Sequence, residues 1–218
     1  MSPRLHWDGQ GGDVVALFAS GAGLHCRAPW METMAHGLAD RGIAVARFDF
    51  PYMEGRADGS ASRRPPDPMP KLLDAMRAAA AEARREGLRF GLLGKSMGGR
   101  VATMLADELR ADAVVVFGYP FHPPRKPTEL RTAHLLTVRT PTRILQGERD
   151  PFGQPDEVAG YGLPAHVEVV WFPGGDHSLE PNKRSGIDAG AAMARALDLA
   201  AAACRGTDGG TSTQPVLG

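Results

Sequence analysis

Runs of apolar and β-branched residues recur along the chain, and segments with amphipathic helical patterns separate them. These runs are nearly continuous in apolar character, as expected of strands covered on both faces in a parallel sheet. Strand and helix segments in alternation predict an α/β fold, with a doubly wound, mostly parallel sheet and helices on both faces. The predicted strands are VVALFA from Val14, IAVARF from Ile43, LRFGLL from Leu88, AVVVFG from Ala113, RILQ from Arg143 and VEVVWF from Val167.

The helical segments begin and end at recognisable signals. One helix is predicted from Pro29, and a second runs from Pro70 to Gly87, a glycine that suits a helix C-cap. A third follows Ser96, and the last opens at SGID, where Ser185 and Asp188 can form a capping box. In a sheet of this kind, ligands bind at the carboxyl ends of the strands.

The length and the terminal segments predict one domain. A chain of 218 residues is long enough to bury its own core, and we assign residues 1–205 to a single domain. The glycine- and threonine-rich residues 206–218 are predicted to be disordered.

Charge and cysteine content limit the partners and the compartment. The formal net charge is zero, so no overall field attracts nucleic acid or an anionic membrane. The two cysteines, Cys26 and Cys204, form no CxxC pair, which argues against a cysteine-built metal site and fits a reducing compartment. The first residues lack the apolar core of a signal peptide. We therefore expect a cytoplasmic protein with no metal and no cofactor.

Ser96 lies in the pattern G-x-S-x-G between a predicted strand and a predicted helix. Glycines at positions 94 and 98 allow the chain to reverse sharply, so that the serine hydroxyl stands above the sheet edge. The context favours a nucleophile, although a serine that caps the following helix is the structural alternative.

A nucleophilic serine needs a base and a group that orients the base. Asp150 follows the strand RILQ, and His177 follows the strand VEVVWF, 27 residues later. Both would reach the same sheet edge as Ser96. Asp150 can instead be a turn aspartate before proline, and Glu148 and Asp176 are competing acids. Among the remaining histidines, His25 could line the cleft, whereas the other five occupy poorer positions.

An oxyanion hole requires two backbone N–H donors. The first is expected from Met97, the residue after the nucleophile, and the second from Ala22 in the loop SGAGLHC. That loop can also be an ordinary turn between strand and helix. Cys26 in the same loop is an alternative nucleophile but lacks an elbow.

Two further segments bear on substrate access. Between Gly118 and Arg143 there is room for one short helix at most, which predicts an open cleft without a cap domain. The loop from Tyr52 to Pro70 carries charges of both signs that roughly balance, which is typical of a solvated surface loop. Alternatively, the loop holds Arg56 where it binds an anionic substrate.

Five stretches together resemble the α/β-hydrolase superfamily: SGAG, RFDFPYMEGR, GKSMGGR, LQGERDPFG and GGDHSL, which span Ser20 to Leu179. The sequence is most similar to the small, lidless, dienelactone-hydrolase-like group, which includes a hydrolase-like subunit of an animal histone acetyltransferase complex. The resemblance implies a triad of Ser96, Asp150 and His177. Many relatives carry histidine where this chain has Ser20, and some members of the group act as interaction subunits.

We therefore expect a serine hydrolase that cleaves a small-molecule ester or thioester through an acyl-enzyme. The alternative is a catalytically silent interaction module with the same fold. Neither nucleic acid nor membrane is an expected partner, and the sequence does not separate hydrolysis from acyl transfer or give the oligomeric state.

Overall fold

The computed structural model describes residues 3–53 and 65–207. The described strands form one seven-stranded sheet in the order β1-β3-β2-β4-β5-β6-β7. β1 runs antiparallel to β3, and every other neighbouring pair is parallel. The strands are β1 His6–Asp8, β2 Val14–Ala19, β3 Ile43–Phe48, β4 Arg89–Lys95, β5 Ala113–Phe117, β6 Thr142–Gly147 and β7 Val167–Phe172.

The ends of the parallel strands are in register. Ala19 pairs with Phe48 on one side and with Gly94 on the other, and Lys95 pairs with Phe117. The loops that follow these strands therefore leave the sheet at one edge, which is where the candidate site residues were expected.

Helices cover both faces of the sheet and build two apolar cores. One core lies under α2 and α3, and the other lies under α1 and α5. This arrangement confirms the predicted doubly wound α/β fold. The helices are α1 Pro29–Ala39, α2 Met69–Ala83, α3 Met97–Leu105, α4 Pro155–Val158 and α5 Ala189–Arg205.

Two helix ends differ from their predictions. α2 ends at Ala83, because Arg84 is already extended, and Gly87 lies at φ +76° in the turn before β4. Asp188 alone caps α5, with its side chain accepting a hydrogen bond from Ala191 N, while Ser185 Oγ donates to the Asn182 carbonyl instead.

The segment between β5 and β6 contains one short 3₁₀ helix, Ala133–Leu136. Within the described residues no cap domain is inserted there, as predicted. None of the described helices is both long enough and apolar enough to cross a membrane.

Two predictions lie wholly or mostly outside the described residues. Arg56 is one of them, and the tail beyond Thr207 is the other. Gly206, at the start of that predicted tail, is a left-handed cap on α5, and its N–H donates to the Ala203 carbonyl.

Candidate active site

Ser96 lies in a strained turn between β4 and α3. Its backbone is at φ 52° and ψ −115°, a conformation that a non-glycine residue adopts only where the surroundings enforce it. Packing provides that enforcement. A Cβ at Gly98 would lie 2.5 Å from the carbonyl oxygens of Ala19 and Ser20, and a Cβ at Gly94 would collide with Gly99 N. The turn therefore has the geometry of a nucleophile elbow.

Asp150 and His177 meet at the same edge of the sheet. Asp150 is fully buried, and its Oδ2 lies 2.7 Å from His177 Nδ1. The carboxylate also accepts hydrogen bonds from Gln146 Nε2 at 2.9 Å and from the Phe152 N–H at 2.9 Å. A carboxylate accepts and does not donate, so Nδ1 is the donor in this pair, and in the neutral ring Nε2 is the nitrogen that accepts a proton.

The two competing acids support turns instead. Glu148 Oε2 accepts a hydrogen bond from Gly174 N, and Asp176 Oδ1 accepts bonds from the N–H groups of Ser178 and Glu180. Neither of them forms an ion pair with His177 in the part of the chain described by the structure, whereas Asp150 does.

Lys95 links the elbow to the histidine loop. Its Nζ donates a hydrogen bond to the His177 carbonyl, and it lies 5.6 Å from the centre of the Trp30 ring. The side chain is almost fully buried, and desolvation lowers the pKa of Lys95 to about 8 against the opposing attraction of Asp150 and Asp176. No hydrogen bond joins Ser96 Oγ to the His177 ring among the described residues, and such contacts often tighten only when substrate is bound.

The loop after β2 brings Ala22 beside the elbow. A Cβ at Gly21 would lie 3.5 Å from Ser96 Cβ, and Tyr52 Oη donates to the Ala22 carbonyl at 2.9 Å. Within the described backbone, the N–H groups of Ala22 and Met97 donate no hydrogen bond. Two free donors on either side of a serine can stabilise a developing oxyanion.

Asp49 anchors the far end of this loop. It accepts hydrogen bonds from the Cys26 N–H at 2.7 Å and the Cys26 thiol at 3.2 Å, and it lies 2.8 Å from His25 Nε2. These three side chains are close enough together to hold a metal ion. Burial and the Asp49 charge raise the pKa of the Cys26 thiol, which disfavours the thiolate that a nucleophilic reaction needs. In the hydrogen-bonded arrangement of the structure, the cluster anchors the loop to Asp49 at the end of β3.

A cavity of about 380 Å³ opens in front of the elbow. The Phe152 ring on its wall lies 4.4 Å from the His177 ring, measured between centroids. The cavity therefore lies beside both the serine and the histidine. Its lining includes Ser96, Met97, Ala22, Phe152, Arg100 and Arg131.

Sequence reasoning did not single out several of these residues. Arg100 could have been found, because it lies four residues after Ser96 and hence on the same face of α3. Tyr52 and Phe152 lie in the stretches RFDFPYMEGR and LQGERDPFG, but nothing in these stretches gave either side chain a role. Arg131 carries no local signal, since the fold alone brings its segment to the cavity.

Comparisons with known proteins identify the family and the fold. A family model described as an alpha/beta hydrolase domain matches residues 12–205. No curated protein sequence matches the chain significantly.

Solved structures share the fold at low sequence identity. An α/β serine hydrolase without a lid from Xanthomonas campestris is 22% identical, with a TM-score of 0.62 over 88% of this chain and 87% of its own. A dienelactone hydrolase from Anabaena variabilis is 20% identical, with a TM-score of 0.65 over 95% and 99% of the two chains. An α/β serine hydrolase homologue from Coxiella burnetii is 16% identical, with a TM-score of 0.65 over 89% and 88%. Fold, elbow and family match together show that the chain belongs to the α/β-hydrolase family.

Proposed function

We propose that the protein is a serine hydrolase that cleaves a small ester or thioester through an acyl-enzyme. Ser96 is the nucleophile, His177 the general base and Asp150 the group that orients the imidazole. The N–H groups of Ala22 and Met97 form the oxyanion hole.

The observation that carries this proposal is the Asp150–His177 hydrogen bond of 2.7 Å at the edge where Ser96 occupies its strained turn. A structural role does not require a strained serine, a buried acid paired to a loop histidine and two free N–H donors around one cavity. The two serine hydrolase structures of the same fold add support.

The reaction follows from the placement of these groups. Ser96 Oγ attacks the carbonyl carbon of the ester while its proton passes to His177 Nε2, and the carbonyl oxygen becomes an oxyanion held by the two N–H groups. The C–O or C–S bond then breaks, and the leaving group takes the proton from Nε2. Water attacks the acyl-enzyme, gives a proton to Nε2, and releases the acid as that proton returns to Ser96.

The cavity favours small substrates. Its volume of about 380 Å³ lies at the small end of ordinary ligand sites, and no cap domain in the described residues encloses a long acyl chain. We expect kcat/KM to fall along the series acetyl, butyryl, octanoyl and palmitoyl p-nitrophenyl esters. A preference for palmitoyl esters would contradict this assignment.

The decisive experiment labels the nucleophile. Purified protein is treated with a fluorophosphonate, the adduct is mapped by mass spectrometry, and hydrolysis of acetyl esters and thioesters is measured in parallel. We expect labelling at Ser96 alone, and loss of both labelling and turnover in Ser96→Ala. Ser185→Ala is the matched control, because Ser185 Oγ is engaged with the Asn182 carbonyl away from the cavity.

Other outcomes lead to different conclusions. A folded protein that is neither labelled nor active on any acyl ester would favour the interaction module, the role some members of the resembling group have. Turnover that requires an added alcohol or amine would identify acyl transfer in place of hydrolysis.

A further inference from the structure

Two arginines line the cavity that contains Ser96. Arg100 lies one helical turn beyond the serine, and Arg131 reaches the cavity from the segment between β5 and β6. Arg100 Nε is buried and has no hydrogen-bond partner among the described residues. Over the same residues, neither guanidinium forms an ion pair, whereas most other buried or half-buried charges of the protein are paired. Unpartnered buried donors of this kind are rare and need an explanation.

Both arginines extend from fixed backbone. Arg131 N donates to the Phe121 carbonyl at 2.7 Å, and the Arg131 carbonyl accepts a bond from Tyr119 Oη at 2.8 Å. Arg100 N donates to the Ser96 carbonyl at 3.0 Å, within α3. The backbone positions from which the two side chains reach the cavity are thus fixed before any ligand arrives, which lowers the entropic cost of binding.

Like charges in this cavity disfavour one another. Burial, and then the charge of Arg100, lower the pKa of Arg131 from its ordinary value. The same two causes lower the pKa of His134 to about 4, so this neighbour is neutral at physiological pH.

The nearby carboxylates already have cationic partners. Asp67 lines the cavity, but its Oδ1 lies 3.0 Å from Lys71 Nζ, and its Oδ2 is buried without a hydrogen-bond partner among the described residues. Glu129 pairs with Lys126 at 2.7 Å. Two partly desolvated cations therefore face the cavity without a paired counter-ion in the described structure, and an anion would relieve that cost.

We propose that Arg100 and Arg131 form an anion subsite that binds an oxyanion group, carboxylate or phosphate, carried by the substrate of Ser96. This inference rests on the proposed hydrolase function. Guanidinium groups present a planar fork of donors that matches both oxyanions. Because both arginines line the same cavity of about 380 Å³ as Ser96, only a few bonds separate the anionic group from the ester carbonyl. The substrate class is therefore a half-ester of a short dicarboxylic acid or a phosphorylated analogue of one.

The kinetic test compares charged and neutral esters. Substrates are p-nitrophenyl acetate, mono-p-nitrophenyl glutarate and the p-nitrophenyl ester of a phosphonobutyrate. We expect Arg100→Met and Arg131→Met each to raise KM for the charged esters roughly tenfold or more. The KM for p-nitrophenyl acetate should stay within about twofold of wild type. Arg100→Lys and Arg131→Lys should retain part of the affinity. The matched control is Arg125→Met, because Arg125 is exposed and does not line the cavity.

An equal rise in KM for charged and neutral esters would overturn the inference. It would mean that the arginines only maintain the shape of the cavity. The ratio of the two charged esters separates the sources of the anion. A preference for glutarate identifies a carboxylate, and a preference for the phosphonate identifies a phosphate-type group.

A binding experiment separates this inference from the proposed function. Ser96→Ala is titrated with glutarate and with inorganic phosphate by calorimetry, and the double variants Ser96→Ala/Arg100→Met and Ser96→Ala/Arg131→Met should lose binding at least tenfold. Glutarate binding without turnover of any ester would sustain the subsite and reject the hydrolase. If p-nitrophenyl acetate is hydrolysed, but neither anion binds and charged and neutral esters react alike, the subsite is rejected and the hydrolase assignment stands.

Discussion

Arg47 and Arg100 are buried to different degrees, and their surroundings differ completely. On β3, Arg47 donates to both carboxylate oxygens of Asp8, at 2.7 and 3.0 Å, and to the Cys26 carbonyl, and its side chain is only 6% exposed. In the cavity, the buried Nε of Arg100 has no partner among the described residues.

The difference separates two uses of the same side chain. Arg47 ties β1 to β3 through its ion pair with Asp8, and its hydrogen bond to the Cys26 carbonyl holds the end of the loop that carries Ala22. At the cavity, the donors remain available. A guanidinium whose donors are all satisfied by the protein cannot recognise a ligand, whereas one with a free buried donor contributes little to stability and can bind an anion.

The largest expected effect is the loss of stability when the ion pair between Arg47 on β3 and Asp8 on β1 is removed. Arg47→Met leaves Asp8 buried without its guanidinium, and the free energy of unfolding should fall by about 3–5 kcal/mol. Urea denaturation followed by circular dichroism measures this change, with the exposed Arg125→Met as control. If both variants unfold at the same urea concentration, Arg47 is not the structural member of the pair.

Lys95 provides an intermediate case, a buried cation with one carbonyl partner. Its pKa is about 8 in the folded protein and 10.5 ordinarily, so between these values the unfolded chain binds more protons and stability rises with pH. The gain is on the order of 3 kcal/mol between pH 8 and 10.5. We expect it in the difference between wild-type and Lys95→Met denaturation curves, and parallel curves across this range would contradict it.

A variant of Tyr52 tests whether the loop that carries Ala22 also depends on an uncharged hydrogen bond. Tyr52→Phe removes the hydrogen bond to the Ala22 carbonyl, which contributes about 0.5–1.5 kcal/mol. Since that bond holds the residue whose N–H is the proposed oxyanion donor, we expect kcat for p-nitrophenyl acetate to fall roughly three- to tenfold with KM nearly unchanged. Tyr161→Phe is the same chemical change on a ring that packs against Phe121, away from the Ala22 carbonyl, and an equal effect there would remove the special role of Tyr52.

The smallest effect is expected for the stability of Arg100→Met. No ion pair among the described residues is broken and a partly desolvated charge is removed, so the free energy of unfolding should stay within about 0.5 kcal/mol of wild type or exceed it. A loss above about 2 kcal/mol in the same urea experiment would show that Arg100 is structural, like Arg47.

Sequence reasoning located the central strands well, because strands covered on both faces are apolar throughout and need no knowledge of their partners. The antiparallel β1 escaped notice, since His6–Asp8 is a three-residue edge strand without an apolar run. The end of α2 was placed too late, because the helical pattern ran on towards Gly87 while the chain becomes extended at Arg84.

In the candidate site, too, some residues can be predicted from the sequence and others cannot. The strand–turn–helix context of Ser96, and the positions of Asp150 and His177 after late strands, can be inferred from sequence order. The approach of Arg131 cannot, because its position depends on bonds to Tyr119 and Phe121 that form only in the folded chain. The anion-binding role of Arg56 stays a prediction.

The close packing of the elbow also determines where this enzyme fold can be engineered. In the turn SMGGR, a Cβ at Gly98 meets the Ala19 and Ser20 carbonyls and a Cβ at Gly99 meets the Val116 side chain, so these two positions do not tolerate variation. Met97 and Arg100, in contrast, face the cavity. A directed-evolution library confined to positions 97, 100 and 131 should therefore yield folded variants with altered substrate choice, whereas random mutagenesis of the whole turn would yield mainly inactive ones.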